Sequence, residues 1–401
     1  MIPETTRHGG SRIGIADDAS APIEDSAADA LVRALVGNAI DMVFGVGGTH
    51  TLVLLGAIER SAKLQFVASR TELGAAYMAI GYARISGRPA ALLTSTGPGA
   101  LNVTAALQDA WSSSVPVIHL TTHIAEPGFA GAIHGTPQQN AILRTASKGL
   151  IELDGNSVVE AVRAAVHRAR SAPAGPVTLT AKVGIWADWP GSDANVPRAD
   201  EEIPEPPDIA ELVEVLSNAT RPLMYVGGGP LKHDRGRAAL EWAEVLQAPL
   251  LTSNAGKTLA SRDHPFNLGP WSTEPLVDEL CAKADLAIAL GSKLSTASTN
   301  YWKVSLPERT YRTGFADETH RFFPRIRELR GAAAEAATAL AGHVRQRDAG
   351  WATDQIPGIR QAVLRAGRDR SPEDMAFIDA MDSPDTPTLV ACTLRRPVSG
   401  S

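Results

Sequence analysis

The sequence predicts an α/β protein made of two doubly wound, mostly parallel-sheet domains. Three observations lead to this prediction. Short apolar segments alternate with segments of helical periodicity, and this alternation runs through the chain twice. The apolar segments lack the polar alternation of a half-exposed sheet, as expected for parallel strands that are covered on both faces. Several of them end in glycine-rich turns, which are typical of strand-to-helix connections in this fold class.

The first predicted domain spans residues 26–190. Ser26 can cap a helix that ends at Gly37, and a second helix is predicted from Thr71 to about Ser86. Further helices are predicted at 49–60, 100–113 and 156–171. The strands are predicted at 42–46, 65–69, 89–96, 116–122 and 177–181. The right-handed crossover rule makes a doubly wound sheet the default arrangement of such a series.

The second predicted domain spans residues 209–345 and follows an acidic, proline-rich linker at 191–208. Its predicted elements are strands at 222–229, 249–253 and 285–292, helices at 235–247 and 276–284, and a further helical region at about 320–345. Residues 1–25 are predicted to form a flexible tail, and the charged, weakly periodic residues 346–401 a C-terminal extension.

The composition narrows the class of protein. The chain has 401 residues and a net charge of −6 without a long basic run, which argues against a nucleic-acid surface. No stretch approaches the length of a membrane span, and the first residues lack the apolar core of a signal peptide. Only Cys281 and Cys392 occur, which excludes a disulfide framework and a thiolate zinc cluster. We therefore expect a soluble, cytoplasmic protein.

Three glycine turns follow predicted strands, at 45–48, 97–99 and 227–229. Ligands bind at this edge of an open α/β sheet because backbone N–H groups and helix N-termini point outward there. None of the turns fits the dinucleotide-binding pattern: after Gly45 and Gly47 a third glycine is needed at position 50, which is His50. Each turn by itself is more simply interpreted as a tight connection that binds no ligand.

Glu72 lies at the predicted start of a helix, directly after the strand 65–69. A carboxylate in a first helical turn is often a solvated residue that interacts with the helix dipole. The residues that follow Glu72 are nearly all small or apolar, so we expect this helix to be buried on all sides. Glu72 would then lie at a desolvated sheet edge, where a carboxylate is a candidate functional group.

Two sequence runs stand out together: ELGAAYMAIGYARISGRP at 72–89 and LLTSTGPGALN at 92–102. They resemble the pyrimidine-binding domain of thiamine diphosphate-dependent enzymes, most of all the acetolactate synthase and benzoylformate decarboxylase type. The resemblance extends to VFGVGG at 43–48 and LRTASK at 143–148. YVGGG at 225–229 and ADLAIALGS at 284–292 resemble the central domain of the same family.

The resemblance implies a role for Glu72. In this family the glutamate at that position hydrogen-bonds the aminopyrimidine ring of thiamine diphosphate and promotes loss of the proton from the thiazolium carbon. The activated cofactor then attacks a 2-keto acid and accepts electrons as carbon dioxide leaves. The resemblance also implies that the turns around the pyrimidine ring contain Gly47, Gly48, Gly97, Pro98 and Asn102.

The sequence departs from the family in one respect. Such enzymes bind magnesium and the diphosphate through a Gly-Asp-Gly motif in a third domain, and this motif does not occur in the 401 residues. We therefore expect a partner chain to hold Mg²⁺ and the diphosphate, which makes this chain one subunit of a divided decarboxylase or carboligase that also self-associates. Two alternatives remain: a non-catalytic binding or regulatory homologue, and a module that binds FAD or a nucleotide through its second domain.

Three histidines lie near the end of the predicted fourth strand. His134 falls where acetolactate synthases carry an aromatic residue, and we predict that it contacts the substrate as a catalytic residue. His119 and His123 are four residues apart and could share a face, but no Cys or carboxylate nearby in the sequence completes a metal site. We predict no metal site within this chain and interpret these two as ordinary polar loop residues.

Overall fold

The computed structural model describes residues 26–124, 132–153, 158–188, 208–232, 236–272, 274–315, 322–323, 325–331, 333, 336–338, 347, 350–373 and 375–376. The chain divides into two compact units, Met1–Glu202 and Ile203–Ser401. The predicted tail at 1–25 and the predicted linker up to residue 207 lie outside the described residues.

The first unit contains a six-stranded sheet in which every strand pairing is parallel. Its strands are β1 (Met42–Gly45), β2 (Gln65–Ala68), β3 (Ala90–Leu93), β4 (Val117–His123), β5 (Leu150–Leu153) and β6 (Val177–Lys182). Their order across the sheet is β2-β1-β3-β4-β6-β5. All residues of β3 and β4 are buried, as expected for the inner strands of a sheet that is covered on both faces.

Helices cover both faces of this sheet. They are α1 (Ala27–Gly37), α2 (Leu52–Arg60), α3 (Glu72–Ser86), α4 (Pro98–Leu101), α5 (Thr104–Ser112), α6 (Gln139–Ala146), α7 (Val158–Arg170) and α8 (Ile185–Asp188). One apolar cluster contains residues of α1, α2, α7 and α8, and a second contains residues of α3, α4, α5 and α6. The predicted cap of α1 is confirmed, because Ser26 Oγ accepts a hydrogen bond from the Asp29 N–H at 3.2 Å.

The second unit repeats this architecture. Its strands are β7 (Pro222–Val226), β8 (Leu250–Thr252), β9 (Asn267–Gly269), β10 (Leu286–Leu290), β11 (Thr310–Gly314) and β12 (Ile326–Arg330), all paired in parallel in the order β12-β11-β10-β7-β8-β9. The helices α9 (Ala210–Asn218) and α10 (Arg237–Leu246) contribute to one apolar cluster. The helices α11 (Pro275–Lys283) and Ile356–Arg370 contribute to another. The predicted class of two doubly wound parallel-sheet domains is confirmed.

The structure corrects several element predictions. The sequence does not predict four of the strands, namely β5, β9, β11 and β12. Strand β12 lies inside the region expected to be helical. The outermost strands β5 and β12 include partly exposed polar residues, and β9 is only three residues long. None of these three strands shows a continuous apolar run. The predicted helix at 100–113 is divided between α4 and α5. The helix Ile356–Arg370 lies in the predicted extension and buries only Ile356 and Val363, which explains its weak periodicity.

Among the helices that the structure describes, none combines the length and apolar character needed to cross a membrane.

Candidate functional site

The first sheet reverses its winding next to β1, since β2 lies on one side of β1 and β3 on the other. Chain connections diverge at such a point and leave a crevice outside the carboxyl ends of the two strands, where ligands bind in open α/β sheets. The turn after β1 contains Gly47 and Gly48, and the turn after β3 contains Ser95, Thr96 and Gly97. The predicted site residues Gly47, Gly48 and Gly97 therefore lie at one topological switch point.

Gly48 brings the turn after β1 close to the turn after β3. A Cβ atom at position 48 would lie 2.9 Å from Ser95 Cβ, a separation that real side chains do not adopt. A Cβ atom at position 47 would lie 3.1 Å from Leu55 Cδ1. Gly47 is exposed and Gly48 is half-buried, so both are available at the surface of the crevice.

Glu72 is the first residue of α3, and the helix begins there because Thr71 caps it. Thr71 Oγ1 accepts a hydrogen bond from the Gly74 N–H at 3.1 Å. Glu72 Oε2 accepts a hydrogen bond from Asn102 Nδ2 at 3.1 Å, which brings two predicted site residues together. A Cβ atom at position 99 would lie 3.4 Å from Glu72 Oε1. Within the described part of the chain, no group donates a hydrogen bond to Oε1.

The expectation that α3 is buried on all sides is wrong for this chain. Leu73 is 40% exposed, Tyr77 47% and Met78 39%, so one apolar face of the helix lies at the surface. Glu72 is half-buried rather than fully desolvated. The helix is apolar on two faces, but only the face with Ala75 and Ala79 packs against the sheet of its own unit.

Gly97 and Pro98 connect β3 to Asn102. Gly97 has φ 62° and ψ −121°, a backbone conformation that side-chain-bearing residues rarely adopt. Pro98 opens the short helix α4, and the Asn102 N–H donates to the Pro98 carbonyl at 2.9 Å. The direction of the Asn102 side chain toward Glu72 is thus set by the turn that precedes it.

His134 lies against the Gly97 turn. Its carbonyl oxygen occupies the space that a Cβ atom at position 97 would fill, at 2.3 Å. The His134 side chain is exposed, and its ring packs edge-on against the His50 ring with centroids 6.3 Å apart. The structure therefore places His134 at the crevice but shows no contact between it and Glu72.

Sequence reasoning missed three residues of this crevice. The Ser95 side chain lies next to Gly48, and the His50 ring packs against the His134 ring. The buried Gln139 accepts a hydrogen bond from the Gly97 N–H at 2.7 Å. His50 was noticed only because it breaks a glycine pattern. No sequence signal identifies Gln139, since a glutamine at a helix start is ordinary on a protein surface.

His119 and His123 belong to β4 and are buried, which corrects their interpretation as loop residues. The ring nitrogens of His119 contact Thr94 Oγ1 at 2.9 Å and Thr178 Oγ1 at 3.3 Å, and burial lowers its pKa to about 3. Burial also lowers the pKa of His123, opposed by Glu152, whose Oε1 lies 2.8 Å from His123 Nε2. Glu152 is a carboxylate partner that the sequence did not reveal, yet the described residues contain no group of three metal-binding side chains.

Comparison with known proteins identifies both units. Residues 25–143 match the thiamine pyrophosphate enzyme N-terminal TPP binding domain, and residues 209–321 match the thiamine pyrophosphate enzyme central domain. The probable 2-ketoarginine decarboxylase AruI of Pseudomonas aeruginosa is 33% identical over 355 residues, which cover 85% of this chain and 62% of that protein. The acetolactate synthase large subunit of Corynebacterium glutamicum is 27% identical over 70% of this chain and 46% of that protein.

The fold has a counterpart among solved structures. A candidate thiamin diphosphate-dependent enzyme from Mycobacterium smegmatis superimposes with a TM-score of 0.70 and 22% identity, over 80% of this chain and 63% of that one. The chain thus spans less than two thirds of the length of each of these three proteins. The two matched domains, in this order, and the relatives that share them show that the chain belongs to the thiamine diphosphate-dependent enzymes of the acetolactate synthase type.

Proposed function

We propose that this chain provides the cofactor-activating half of a thiamine diphosphate-dependent 2-keto acid decarboxylase or carboligase, and that a partner chain provides the half that binds Mg²⁺ and the diphosphate. The observation that carries the proposal is the position of Glu72. It lies at the topological switch point of the domain that matches the family's N-terminal TPP binding domain, with one oxygen held by Asn102.

The shape and chemistry of the crevice support binding of a pyrimidine ring. Glu72 Oε1 faces the space beside Gly99, where even a methyl group would come within 3.4 Å of it. Gly47 and Gly48 leave the neighbouring backbone without side chains. A planar, nitrogen-containing ring needs space free of side chains beside a carboxylate that can share a proton. We propose that Glu72, Gly47, Gly48, Gly97, Pro98 and Asn102 hold this part of the cofactor.

Each protein group has a defined task in the proposed reaction. When bound, thiamine diphosphate supplies an electron sink for the 2-keto acid as carbon dioxide leaves. Glu72 holds and returns a proton through its carboxylate, and Asn102 keeps that carboxylate in one orientation. The exposed His134 is proposed to contact the 2-keto acid as it enters beside Gly97.

The exposed face of α3 supports the proposed partner. Leu73, Tyr77 and Met78 form an apolar surface on the helix that begins at Glu72. A chain that completes the cofactor site must approach Glu72, and covering this surface would remove water from the carboxylate and strengthen its hydrogen bonds. We propose that the partner carries the Gly-Asp-Gly motif.

The test uses the tagged chain purified from its own cells with the proteins that accompany it. We expect a stoichiometric companion that carries Gly-Asp-Gly, and 2-keto acid turnover that requires thiamine diphosphate and Mg²⁺. Glu72→Gln should lower turnover by roughly 10²- to 10⁴-fold, which is the usual contribution of a positioned proton-transfer group. The variant should still associate with its partner. The matched control is Glu59→Gln, the same change at an exposed carboxylate of α2, which should retain wild-type turnover.

Three results would contradict the proposal or a part of it. Wild-type turnover in the Glu72→Gln assembly would remove Glu72 from the mechanism. An intact mass showing that Gly-Asp-Gly belongs to the same polypeptide would remove the partner chain while leaving the role of Glu72 intact. If the chain purifies only with itself and binds no thiamine diphosphate, the catalytic proposal is wrong as a whole.

A further inference from the structure

Gln139 lies behind the Gly97 turn, on the side away from solvent. It is the first residue of α6 and is only 2% exposed. Its side chain joins two strand ends: Oε1 accepts from the Gly97 N–H at 2.7 Å, and Nε2 donates to the Thr122 carbonyl at 2.9 Å. Oε1 also accepts from Thr96 Oγ1 at 3.3 Å. The turn after β3 is thereby tied to the end of β4.

Only a carboxamide satisfies both ends of this bridge. The Gly97 N–H requires an acceptor and the Thr122 carbonyl requires a donor, so the orientation of the amide is fixed by its partners. Loss of the side chain would leave the buried Gly97 N–H unpaired and the buried Thr122 carbonyl with only a long hydrogen bond from Thr121 Oγ1 at 3.5 Å, which is costly inside a protein.

The residue that donates to Gln139 Oε1, Gly97, is also the residue of the turn with an unusual backbone conformation. Gly97 has a positive φ, and the next residues begin α4, where the Leu101 N–H donates to the Gly97 carbonyl at 3.1 Å. Asn102 follows directly and donates to Glu72 at 3.1 Å. A change in the peptide plane of Gly97 would therefore rotate α4 and move the Asn102 amide relative to the carboxylate.

We propose that Gln139 is a positioning residue for cofactor activation: it fixes the Gly97 turn so that Asn102 holds Glu72 in its working orientation. This inference rests on the proposed function. A displacement of about 1 Å in such a group can cost about 100-fold in rate.

The first measurement follows the turn in the full chain without cofactor. Gln139→Met preserves size but removes all three side-chain hydrogen bonds, and we expect amide hydrogen exchange in residues 96–102 to accelerate at least about tenfold. Gln139→Glu keeps an acceptor for Gly97 and removes the donor for Thr122, so it is the variant to use if Gln139→Met fails to fold. It should also accelerate amide hydrogen exchange in residues 96–102. The matched control is Ser147→Ala, which removes a buried hydroxyl at the other end of α6 whose hydrogen bonds reach Leu143 and Gly149.

The second measurement uses the active assembly. Gln139→Met should lower the 2-keto acid turnover number by about 10- to 100-fold, whereas Ser147→Ala should match the wild type. If Gln139 acts through Asn102, the double variant Gln139→Met/Asn102→Ala should lose little more than Asn102→Ala alone.

The outcomes separate the two proposals. Wild-type exchange in residues 96–102 of Gln139→Met, or strictly additive losses in the double variant, would overturn the positioning role while the function of Glu72 stands. A wild-type assembly that neither binds thiamine diphosphate nor turns over any 2-keto acid would overturn the proposed function, and the positioning role with it.

Discussion

The two units place glycine turns at equivalent points of equivalent sheets, but different groups surround the turns. The winding reverses between β1 and β3 in the first sheet and between β7 and β10 in the second. In the first unit the reversal is bordered by a carboxylate, an amide and two histidines. In the second unit the two turns pack backbone against backbone: a Cβ atom at position 227 would lie 2.2 Å from the Gly291 carbonyl oxygen.

The hydrogen bonds of the second turn explain this difference. The Gly227 N–H donates to the Leu290 carbonyl at 2.8 Å, and the Gly229 N–H donates to the Gly291 carbonyl at 3.2 Å. A phosphate bound at a glycine turn needs such N–H groups for itself. An FAD or nucleotide site at this turn would have to replace bonds that the protein already makes, so the structure offers no support there for the FAD-binding alternative. Glycine in this sheet position therefore indicates a close approach, and only the surrounding side chains indicate a ligand.

The largest expected effect is that of adding a methyl group to the packed turn. Gly227→Ala should destabilise the second unit by about 3 kcal/mol or more, because the new Cβ overlaps the backbone of Gly291 and Ser292 and cannot be accommodated by a rotamer change. Urea unfolding followed by hydrogen exchange of peptides from each unit measures the loss separately for the two units. Unchanged protection in the second unit would show that its turns are not packed as described.

Gly99→Ala is the counterpart of this variant in the first unit. The new Cβ would meet Glu72 Oε1 at 3.4 Å and Ser95 Cβ at 3.5 Å, which are ordinary contacts. We therefore expect the stability of the first unit to remain within about 0.5 kcal/mol of wild type. Binding of thiamine diphosphate by the assembly should weaken, because the methyl group occupies space beside the free carboxylate oxygen.

The strands beside the reversal also differ in the charge they bury. In the first unit β4 buries His119 as a neutral ring between two threonines. In the second unit β11 buries Arg312, which is paired with Glu328 through Nε and Oε1 at 2.8 Å. The first arrangement depends on pH because the ring must remain uncharged, whereas an arginine keeps its charge at every working pH.

Acid should therefore weaken the first unit through His119. Burial lowers the pKa of His119 from 6.5 to about 3, so the unfolded chain binds a proton first as the pH falls. The contribution of His119 is complete above about pH 6.5 and is lost progressively down to about pH 3. At pH 5 the loss is about 2 kcal/mol. Urea unfolding of the first unit at pH 8 and pH 5 measures the difference in its stability between the two pH values. In His119→Gln this difference should be smaller by about 2 kcal/mol.

A histidine outside the core provides the control for the pH effect. His167 is exposed on α7, and His167→Gln should keep the wild-type difference between the two pH values. A pH dependence that survives unchanged in His119→Gln would show that other groups of the first unit control its acid sensitivity.

The sequence predicted the fold class and the position of Glu72 for physical reasons. Buried parallel strands favour continuous apolar runs, and β1, β3, β7 and β10 have them, whereas β4 mixes apolar residues with threonine and histidine, and β6 mixes them with threonine. Glu72 was predictable because a capped helix start after a strand fixes both its location and its sheet edge. The outer strands β5 and β12 were missed because partial exposure permits polar residues such as Glu152 and Glu328.

The rest of the crevice depends on contacts between distant residues. Gln139 and Gly97 are 42 positions apart and meet through a single hydrogen bond. The exposure of α3 was mispredicted for a related reason: an apolar helix surface in the sequence does not state whether its own unit or another chain covers it. A small change in stability at such a surface can sharpen the comparison.

Gly81 lies on α3 next to this exposed surface, and a Cβ atom there would meet nothing within 4 Å. Unlike Gly227, it has no close neighbour among the described residues that requires glycine. Gly81→Ala should stabilise the first unit by about 0.5–1 kcal/mol, since alanine is the better helix former in an exposed helix interior. Urea unfolding of the first unit, followed by hydrogen exchange of its peptides, measures the gain. A loss of stability would mean that another part of the chain packs against α3, which would remove the surface we assign to a partner.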